Sequence, residues 1–247
     1  MNIAVNKAGD TFHLYNDEIS YIMTVMRNRQ MGQVYFGKRI HDGEDFSYLV
    51  EHMTRPMSSW VFEEDKKFSL EYLRQEYAVF GTTDYRMPAV EVLQENGSRI
   101  SDFIYQDYRI EEGKPALSGL PATYTEKDDE AKTLVIGVED PVTGLRIELL
   151  YTIFEMGGVI ARSARFVNKG EQDLHLMTAM SLCMDLPDSD YEWLQFSGAW
   201  ARERHLKTRR LEQGIQSVGS VRGNSSHNHN PFIILKRPTA DEFQGEA

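Results

Sequence analysis

Hydrophobic and polar residues alternate along most of this chain, in short runs that are separated by turns. In residues 145–154, five apolar side chains fall on one face and three polar ones on the other, which is typical of a strand that is buried on one face. A turn-forming sequence precedes this run at 140–144. The pattern predicts further strands at 11–25, as a hairpin that turns at Asn16 and Asp17, and at 33–36, 90–92, 99–110, 133–138, 159–167, 174–186, 191–200 and 232–235.

Short strands between closely spaced turns, with almost no helical periodicity, predict an all-β fold. We expect a large antiparallel sandwich with a few short helical turns. No internal repeat or interdomain linker interrupts the pattern, so residues 1–247 are expected to form one domain. Both faces of the strand at 174–186 would then be covered, and its one thiol, Cys183, would be buried and unreactive.

Residues 68–92 depart from this pattern and form a corner between a helical turn and a strand. Ser69 is placed to cap one helical turn, whose apolar side chains follow at helical spacing: Leu70, Leu73 and Tyr77. Gly81 breaks that turn. Pro88 belongs at the start of the next strand, because proline cannot donate a ladder hydrogen bond.

The loop inside this corner carries a cluster of polar side chains. Asp84, Tyr85 and Arg86 stand together between the turn and the strand. Loop Asp and Arg residues commonly pair locally or bond to nearby backbone groups. The alternative is that the corner presents all three side chains to a ligand or to another subunit.

Residues 41–67 show neither helical nor strand periodicity, yet they are not polar. A loop of this length in a compact domain is either functional or disordered, and its aromatic side chains, Phe46, Trp60 and Phe62 among them, argue against disorder. Trp60 has carboxylates nearby in sequence, including Glu51. A sugar ring stacks on an aromatic side chain and bonds to such groups through its hydroxyls. The loop is therefore a candidate sugar-facing segment, although Trp60 could instead pin it to the sandwich.

Composition excludes several classes of function. The formal charge of −11 argues against a surface for nucleic acid or for anionic lipid. The first residues do not resemble a signal peptide, and no apolar run approaches the roughly 20 residues that span a bilayer. We therefore expect a cytoplasmic protein. The basic segment at 202–210 is expected to form ion pairs or to protect the edge of a sheet, and Trp193 and Trp200 are expected in the core.

Other catalytic chemistry has little support in the sequence. His227 and His229 have the spacing of a strand metal site, but no third ligand is evident, and we expect neither a metal nor a cofactor. A Ser–His–acid triad stays open because its members meet only in space. No G-x-S-x-G nucleophile elbow occurs to support one.

Five stretches of the chain, taken in order, resemble the amino-terminal domain of family 36 glycoside hydrolases, the bacterial α-galactosidases. The first two are VYFGKRI at 34–40 and QEYAVFGTTDYRMPAVEV at 75–92. The others are GKPALSGLPATY at 113–124, VIARSARFVNKG at 159–170 and RGNSSHNHNPFIILKRP at 222–238.

This resemblance implies a β-supersandwich that precedes a (β/α)₈ barrel, and the barrel holds the nucleophile and the acid/base carboxylate of the family. The chain would then be a C-terminally truncated piece of an enzyme, without catalytic residues of its own. The longer protein would hydrolyse terminal α-galactosides with retention and without a cofactor. This domain would support the barrel, wall the pocket and carry contacts in a homo-oligomer.

The resemblance also nominates residues for those roles. In relatives of this family, parts of the amino-terminal domain help to wall the pocket, including one from a neighbouring subunit. The segments DFSYLVE at 45–51 and SSW at 58–60 lie at about that place. The candidates for pocket or subunit contact are Glu51, Trp60, Asp84, Tyr85 and Arg86.

Two alternatives from other classes remain. A free-standing carbohydrate-binding module would need an exposed aromatic platform and sugar affinity without a barrel. A sugar mutarotase would need a His general acid and a Glu general base in one cleft, and His175 with Glu155 is the pair that we propose for it.

Overall fold

The computed structural model describes residues 1–54, 57–82, 84–119, 122–222, 228–241 and 243. The chain forms two compact units, residues 1–185 and 186–247. The single domain that was expected over 1–247 stays a prediction.

The described residues are nearly all β, and every strand pair is antiparallel. Their helical structure consists of two 3₁₀ turns, Ser47–Leu49 and Asp128–Glu130. The expected all-β fold with a few short helical turns is confirmed. None of the described residues forms a helix that is long and apolar enough to cross a membrane.

The described residues of the first unit form ten strands in three sheets. They are β1 (Asn2–Val5), β2 (Thr11–Tyr15), β3 (Ile19–Val25), β4 (Met31–Lys38), β5 (Val90–Leu93), β6 (Ile104–Glu112), β7 (Ala131–Glu139), β8 (Leu145–Phe154), β9 (Ile160–Asn168) and β10 (His175–Ala179). Strands β1 to β4 form one sheet in chain order, and β6 to β9 form a second. Strand β5 pairs with β10 in a small third sheet.

One apolar core is shared by the two larger sheets. The buried faces of β2 and β3 contribute Phe12, Leu14, Tyr21 and Met23. Strands β7 and β8 contribute alternate residues from the other side, including Leu134, Ile136, Leu145, Ile147, Leu149 and Ile153. The alternation predicted for residues 145–154 is therefore confirmed as the inner face of a sandwich.

A buried carboxylate joins these sheets. Glu76 is fully buried and accepts hydrogen bonds from the hydroxyls of Tyr21 on β3, at 2.7 Å, and Tyr151 on β8, at 2.8 Å. The Arg162 guanidinium on β9 lies 2.6 Å from the same carboxylate. Burial raises the pKa of Glu76, and Arg162 and the two tyrosines oppose that rise. The sequence did not point to this residue.

The helical turn that was predicted at Ser69 is present but does not propagate. The Leu73 amide donates to the Ser69 carbonyl at 3.2 Å, and the Glu71 amide donates to the Ser69 hydroxyl at 3.3 Å. The Glu76 amide then bonds to the Met31 carbonyl at 2.9 Å, so the chain turns away to run against β4.

The prediction of one long strand at 174–186 is wrong. Strand β10 ends at Ala179 and has a register shift between Leu176 and Thr178. Beyond it, the Met180 carbonyl accepts the Tyr77 hydroxyl at 2.6 Å, so the chain bonds to the corner instead of to a neighbouring strand. Cys183 is half-buried and packs against the apolar core.

The second unit is a three-stranded sheet with the order β12-β11-β13. Its strands are β11 (Glu192–Ala199), β12 (Arg202–Arg210) and β13 (Ile234–Lys236). The basic β12 lies at the edge and is exposed along its whole length, as expected. Trp193 is half-buried beneath the Arg209 guanidinium, 4.7 Å from the ring centroid. The core prediction for Trp200 is wrong, because this residue lies in the hairpin turn after β11 and is 82% exposed.

Replacement of Glu76 by alanine should strongly destabilise the protein. The change leaves Arg162 buried without its carboxylate, and breaking a buried ion pair in this way costs about 3–5 kcal/mol. Urea unfolding of Glu76→Ala measures the loss. The control is Glu111→Ala, which removes an exposed partner of Arg109 and should cost less than about 1 kcal/mol. Equal losses in the two variants would contradict the account.

Cys183 should react slowly with thiol reagents in the native state. Burial raises the pKa of its thiol, so little thiolate is available at neutral pH. The control is Glu95→Cys in a Cys183→Ala background, because Glu95 is exposed. Labelling of Cys183 should be slower than labelling of Cys at position 95 by about tenfold or more. Similar rates would show that the face holding Cys183 is open.

Candidate functional site

The described residues of the aperiodic loop at 41–67 pack on the face of the first sheet that is turned away from the main core. Phe46 forms a small buried cluster there with Ile22 of β3 and Val34 of β4. Phe46 is therefore buried within this chain itself. Glu51 and Trp60 are exposed farther along the loop.

Polar contacts hold the loop from its two sides. The Arg74 guanidinium donates to the Val34 carbonyl at 3.0 Å and to the Leu49 carbonyl at 3.3 Å, which fixes the turn before Glu51. The Ser69 hydroxyl donates to the Ser59 carbonyl at 2.5 Å, next to Trp60. The loop is therefore folded against the domain at both candidate residues.

A groove of about 410 Å³ runs between this loop and the first sheet. Its walls carry the carboxylates of Asp45, Glu51 and Asp65, the guanidiniums of Arg27 and Arg74, and the ring of Phe68, among other side chains. Arg27 pairs with Asp65 at 2.9 Å and also bonds to Glu64. Carboxylate oxygens, guanidinium donors and an aromatic ring in one concave surface are the groups that bind the hydroxyls and the apolar face of a sugar.

Trp60 lies outside the lining of this groove. Its side chain is 38% exposed, and the Lys66 ammonium stands 5.3 Å from its ring centroid. A partly exposed indole can still contact a sugar or another protein surface. It is neither a freely exposed platform nor a core residue.

The corner loop separates its three candidates. Asp84 is buried and accepts hydrogen bonds from the Arg86 guanidinium, at 3.0 Å, and from the side-chain amide of Gln75. Arg86 also pairs with Asp185 at 3.0 Å and donates to the Leu70 carbonyl at 3.1 Å. Burial alone would lower the pKa of Arg86, but the two carboxylates raise it. The pair braces the corner internally.

Tyr85, unlike Asp84, points its side chain toward solvent. Its ring is 66% exposed and packs edge-on against Phe80, with 5.6 Å between the ring centroids. Of the three corner candidates, it is the one whose side chain is largely available to a partner.

The structure also brings together a serine, a histidine and an aspartate that the sequence did not connect. His13 on β2 lies with its Nε2 2.9 Å from the Ser20 hydroxyl and its Nδ1 2.9 Å from an Asp42 carboxylate oxygen. This order is that of a hydrolytic triad. Ser20, however, is fully buried, and its Oγ accepts the Ile40 amide at 3.0 Å. A substrate cannot reach it, so the group is not a nucleophilic site.

The remaining candidates do not form sites in the part of the chain that the structure describes. His227 lies outside those residues, and His229 bonds through Nδ1 to the Asn230 carbonyl at 2.6 Å. No group of three or more His, Cys, Asp or Glu side chains among the described residues could hold a metal. His175 pairs with Leu93 at the small sheet, whereas the Glu155 amide bonds to the Glu130 carbonyl near the second sheet. Both side chains are exposed, and no hydrogen bond or ion pair joins these two described residues, so the structure gives no support to a mutarotase site at this pair.

Comparison with known proteins agrees with this architecture. A family model described as the glycosyl hydrolase family 36 N-terminal domain matches residues 29–247. Alpha-galactosidase AgaA of Geobacillus stearothermophilus is 44% identical over 246 residues, which is 100% of this chain and 34% of the relative. The chain spans about a third of the length of the curated relatives that it matches.

Solved structures give the same result. The crystal structure of the alpha-galactosidase from Lactobacillus brevis superposes with a TM-score of 0.92 at 44% identity, over 96% of this chain and 32% of that one. A variant of AgaA in complex with raffinose superposes with a TM-score of 0.89 at 44% identity, over 94% of this chain and 32% of that one. The fold described above is thus that of a known domain, and the chain belongs to the glycosyl hydrolase family 36 N-terminal domain family.

Proposed function

We propose that this chain is the non-catalytic amino-terminal domain of an α-galactosidase that hydrolyses terminal α-D-galactosides with retention. One observation carries the proposal: the chain aligns along its whole length with about a third of an α-galactosidase at 44% identity. In this proposal, the two catalytic carboxylates lie in the two thirds of the relatives that the chain does not span. No cofactor is required, because glycoside hydrolysis by this route uses two carboxyl groups.

The groove and the loop beside it are proposed to wall the sugar pocket. Relatives of this chain have been crystallised in complex with raffinose and with stachyose, both of them named as ligands of AgaA variants. A neutral sugar is indifferent to the net charge of −11 but needs local carboxylates and donors. Glu51 would supply hydrogen-bond acceptors, and Trp60 and Tyr85 would supply exposed rings. Asp84 and Arg86 would hold the corner in place without touching the sugar.

We also propose that the whole protein is a cytoplasmic homo-oligomer and that the edge strand β12 contributes to a subunit contact. The strand carries five basic side chains in an acidic chain, and Trp200 is exposed at the hairpin turn that precedes it. Opposite charge and an exposed aromatic ring favour association with another copy.

The 247-residue chain alone should have no glycosidase activity. The purified chain should hydrolyse an aryl α-galactoside no faster than buffer, and the longer enzyme should turn the substrate over under the same conditions. Turnover by the chain that a point substitution within it abolishes would overturn the proposed division of roles.

Replacement of Trp60 by alanine in the longer enzyme should raise KM or lower kcat for α-galactosides. Because the indole is partly exposed, the free energy of unfolding should fall by only about 1 kcal/mol or less. The matched control is Tyr124→Ala, an exposed aromatic outside the loop, which should leave both kinetic constants unchanged. Unchanged kinetics with a stability loss of about 3 kcal/mol or more would make Trp60 ordinary core.

A further inference from the structure

The hydrogen bonds around His13 form a continuous relay whose directions are fixed. The Asp42 carboxylate only accepts, so His13 Nδ1–H donates to it. In the neutral ring, His13 Nε2 then carries no proton and accepts a hydrogen bond from the Ser20 hydroxyl. Ser20 Oγ in turn accepts the Ile40 amide. Every donor and acceptor in the relay is satisfied only when His13 is neutral.

The relay connects the first sheet to the start of the groove loop at two points. His13 and Ser20 lie on neighbouring strands β2 and β3 and are both buried. Their partners, Ile40 and Asp42, lie just beyond β4, where the loop begins. The loop backbone at 40–42 is therefore bonded to the rigid centre of the sheet.

Phe46 connects the hydrogen-bonded residues 40–42 to the part of the loop that carries Glu51. The Phe46 ring packs edge-on against His13, with 5.4 Å between the centroids, and it is buried beside Val34. The Phe46 carbonyl accepts the Leu49 amide at 3.0 Å, which closes the 3₁₀ turn that delivers Glu51 to the groove. A displacement of Phe46 therefore moves the wall that carries Glu51.

We propose that His13 is a positioning residue for sugar binding: through Asp42 and Ser20 it fixes the loop wall of the groove in the conformation that meets the galactoside. The proposal rests on the function proposed above and assigns a role to residues that do not touch the sugar.

Burial, more than the charges around it, favours a neutral His13 ring. A cavity of about 130 Å³ beside it is lined by Asp42 and Glu44, and the Glu44 carboxylate pairs with Lys7 at 3.8 Å. The Arg39 guanidinium stacks on the neighbouring Tyr15 ring, 3.9 Å from its centroid. Burial lowers the pKa of His13 from its ordinary 6.5, Arg39 lowers it further, and Asp42 opposes both.

Protonation of His13 would disrupt the relay. A proton on Nε2 makes both ring nitrogens donors, so the buried Ser20 hydroxyl loses its acceptor. Because the pKa of His13 is lowered in the folded protein, the stability from the relay is complete above 6.5 and is lost as the pH falls through the folded-state value. The wall should therefore loosen on the acid side.

The experiment compares variants of the longer enzyme on an aryl α-galactoside. His13→Phe keeps a ring but removes both hydrogen bonds, and Asp42→Ala removes one of them. For each, KM should rise about fivefold while kcat changes less than twofold, as expected for lost binding geometry. Asp42→Asn keeps an acceptor for Nδ1–H and should restore KM to near the wild-type value. Asp17→Ala, an exposed turn aspartate between β2 and β3, is the control and should change nothing.

Two further readouts separate positioning from general stability. The wild-type KM should increase as the pH falls through the folded-state pKa of His13, which burial lowers, and this increase should be absent in His13→Phe, which has no ring nitrogen to titrate. Hydrogen exchange of the 247-residue chain should show lost protection at 40–50 in Asp42→Ala, with unchanged protection in β7 and β8. If His13→Phe does not fold, Asp42→Ala and its Asn counterpart carry the test.

The outcomes distinguish this inference from the proposed function. If Glu51→Ala raises KM but His13→Phe and Asp42→Ala do not, the inference is wrong and the pocket wall stands. If Asp42→Ala loosens 40–50 but neither it nor Glu51→Ala affects KM, the relay is structural only, and the proposed pocket wall is wrong as well. Equal KM values for Asp42→Ala and Asp42→Asn would also overturn the inference.

Discussion

The buried carboxylate of Glu76 is the interaction on which the first unit depends. It receives hydroxyl groups from Tyr21 and Tyr151 and pairs with Arg162, so strands β3, β8 and β9 all bond to one side chain. Hydrophobic packing drives the two sheets together but has no direction. A charged group that must be paired when buried permits only one arrangement of the sheets around it. Glu76 thereby sets where the corner at 68–92 sits between them.

The functional surface follows from this placement. Once Glu76 is fixed, the preceding turn lies against β4, and Arg74 reaches the loop carbonyl of Leu49. The residues after Glu76 lead to the braced pair Asp84 and Arg86. The same corner therefore supports the groove on one side and exposes Tyr85 on the other, although neither the carboxylate nor its partners reach solvent.

Local periodicity was enough to predict the fold class and most strands, because each sheet buries one face and exposes the other. Residues 145–154 show this most clearly. The same reasoning failed at 174–186, where alternation continues after β10 has ended, since the carbonyl of Met180 and the carboxylate of Asp185 bond to the corner instead of to a strand. Trp200 was misplaced because a pattern cannot tell the last residue of a strand from the turn that follows it.

The candidate site was only partly predictable. Glu51, Trp60 and Tyr85 were nominated from two irregular loops and from the family resemblance, and the structure leaves all three exposed. Whether they meet a sugar is still a prediction. The relay was invisible, because His13, Ser20 and Asp42 come together only when β2, β3 and the loop are in place. Glu76 was missed for a similar reason: a Glu that follows Arg74 and Gln75 in the sequence gives no sign that it will be buried.

The central claim is that the groove loop of this domain forms part of the galactoside pocket of a longer enzyme. Hydrogen exchange of that enzyme, with and without saturating galactose, tests it most directly. The account predicts that galactose slows exchange at 45–52 and 58–60, while β7 and β8 are unaffected. Slower exchange confined to the remainder of the enzyme, with no change in this loop, would contradict it.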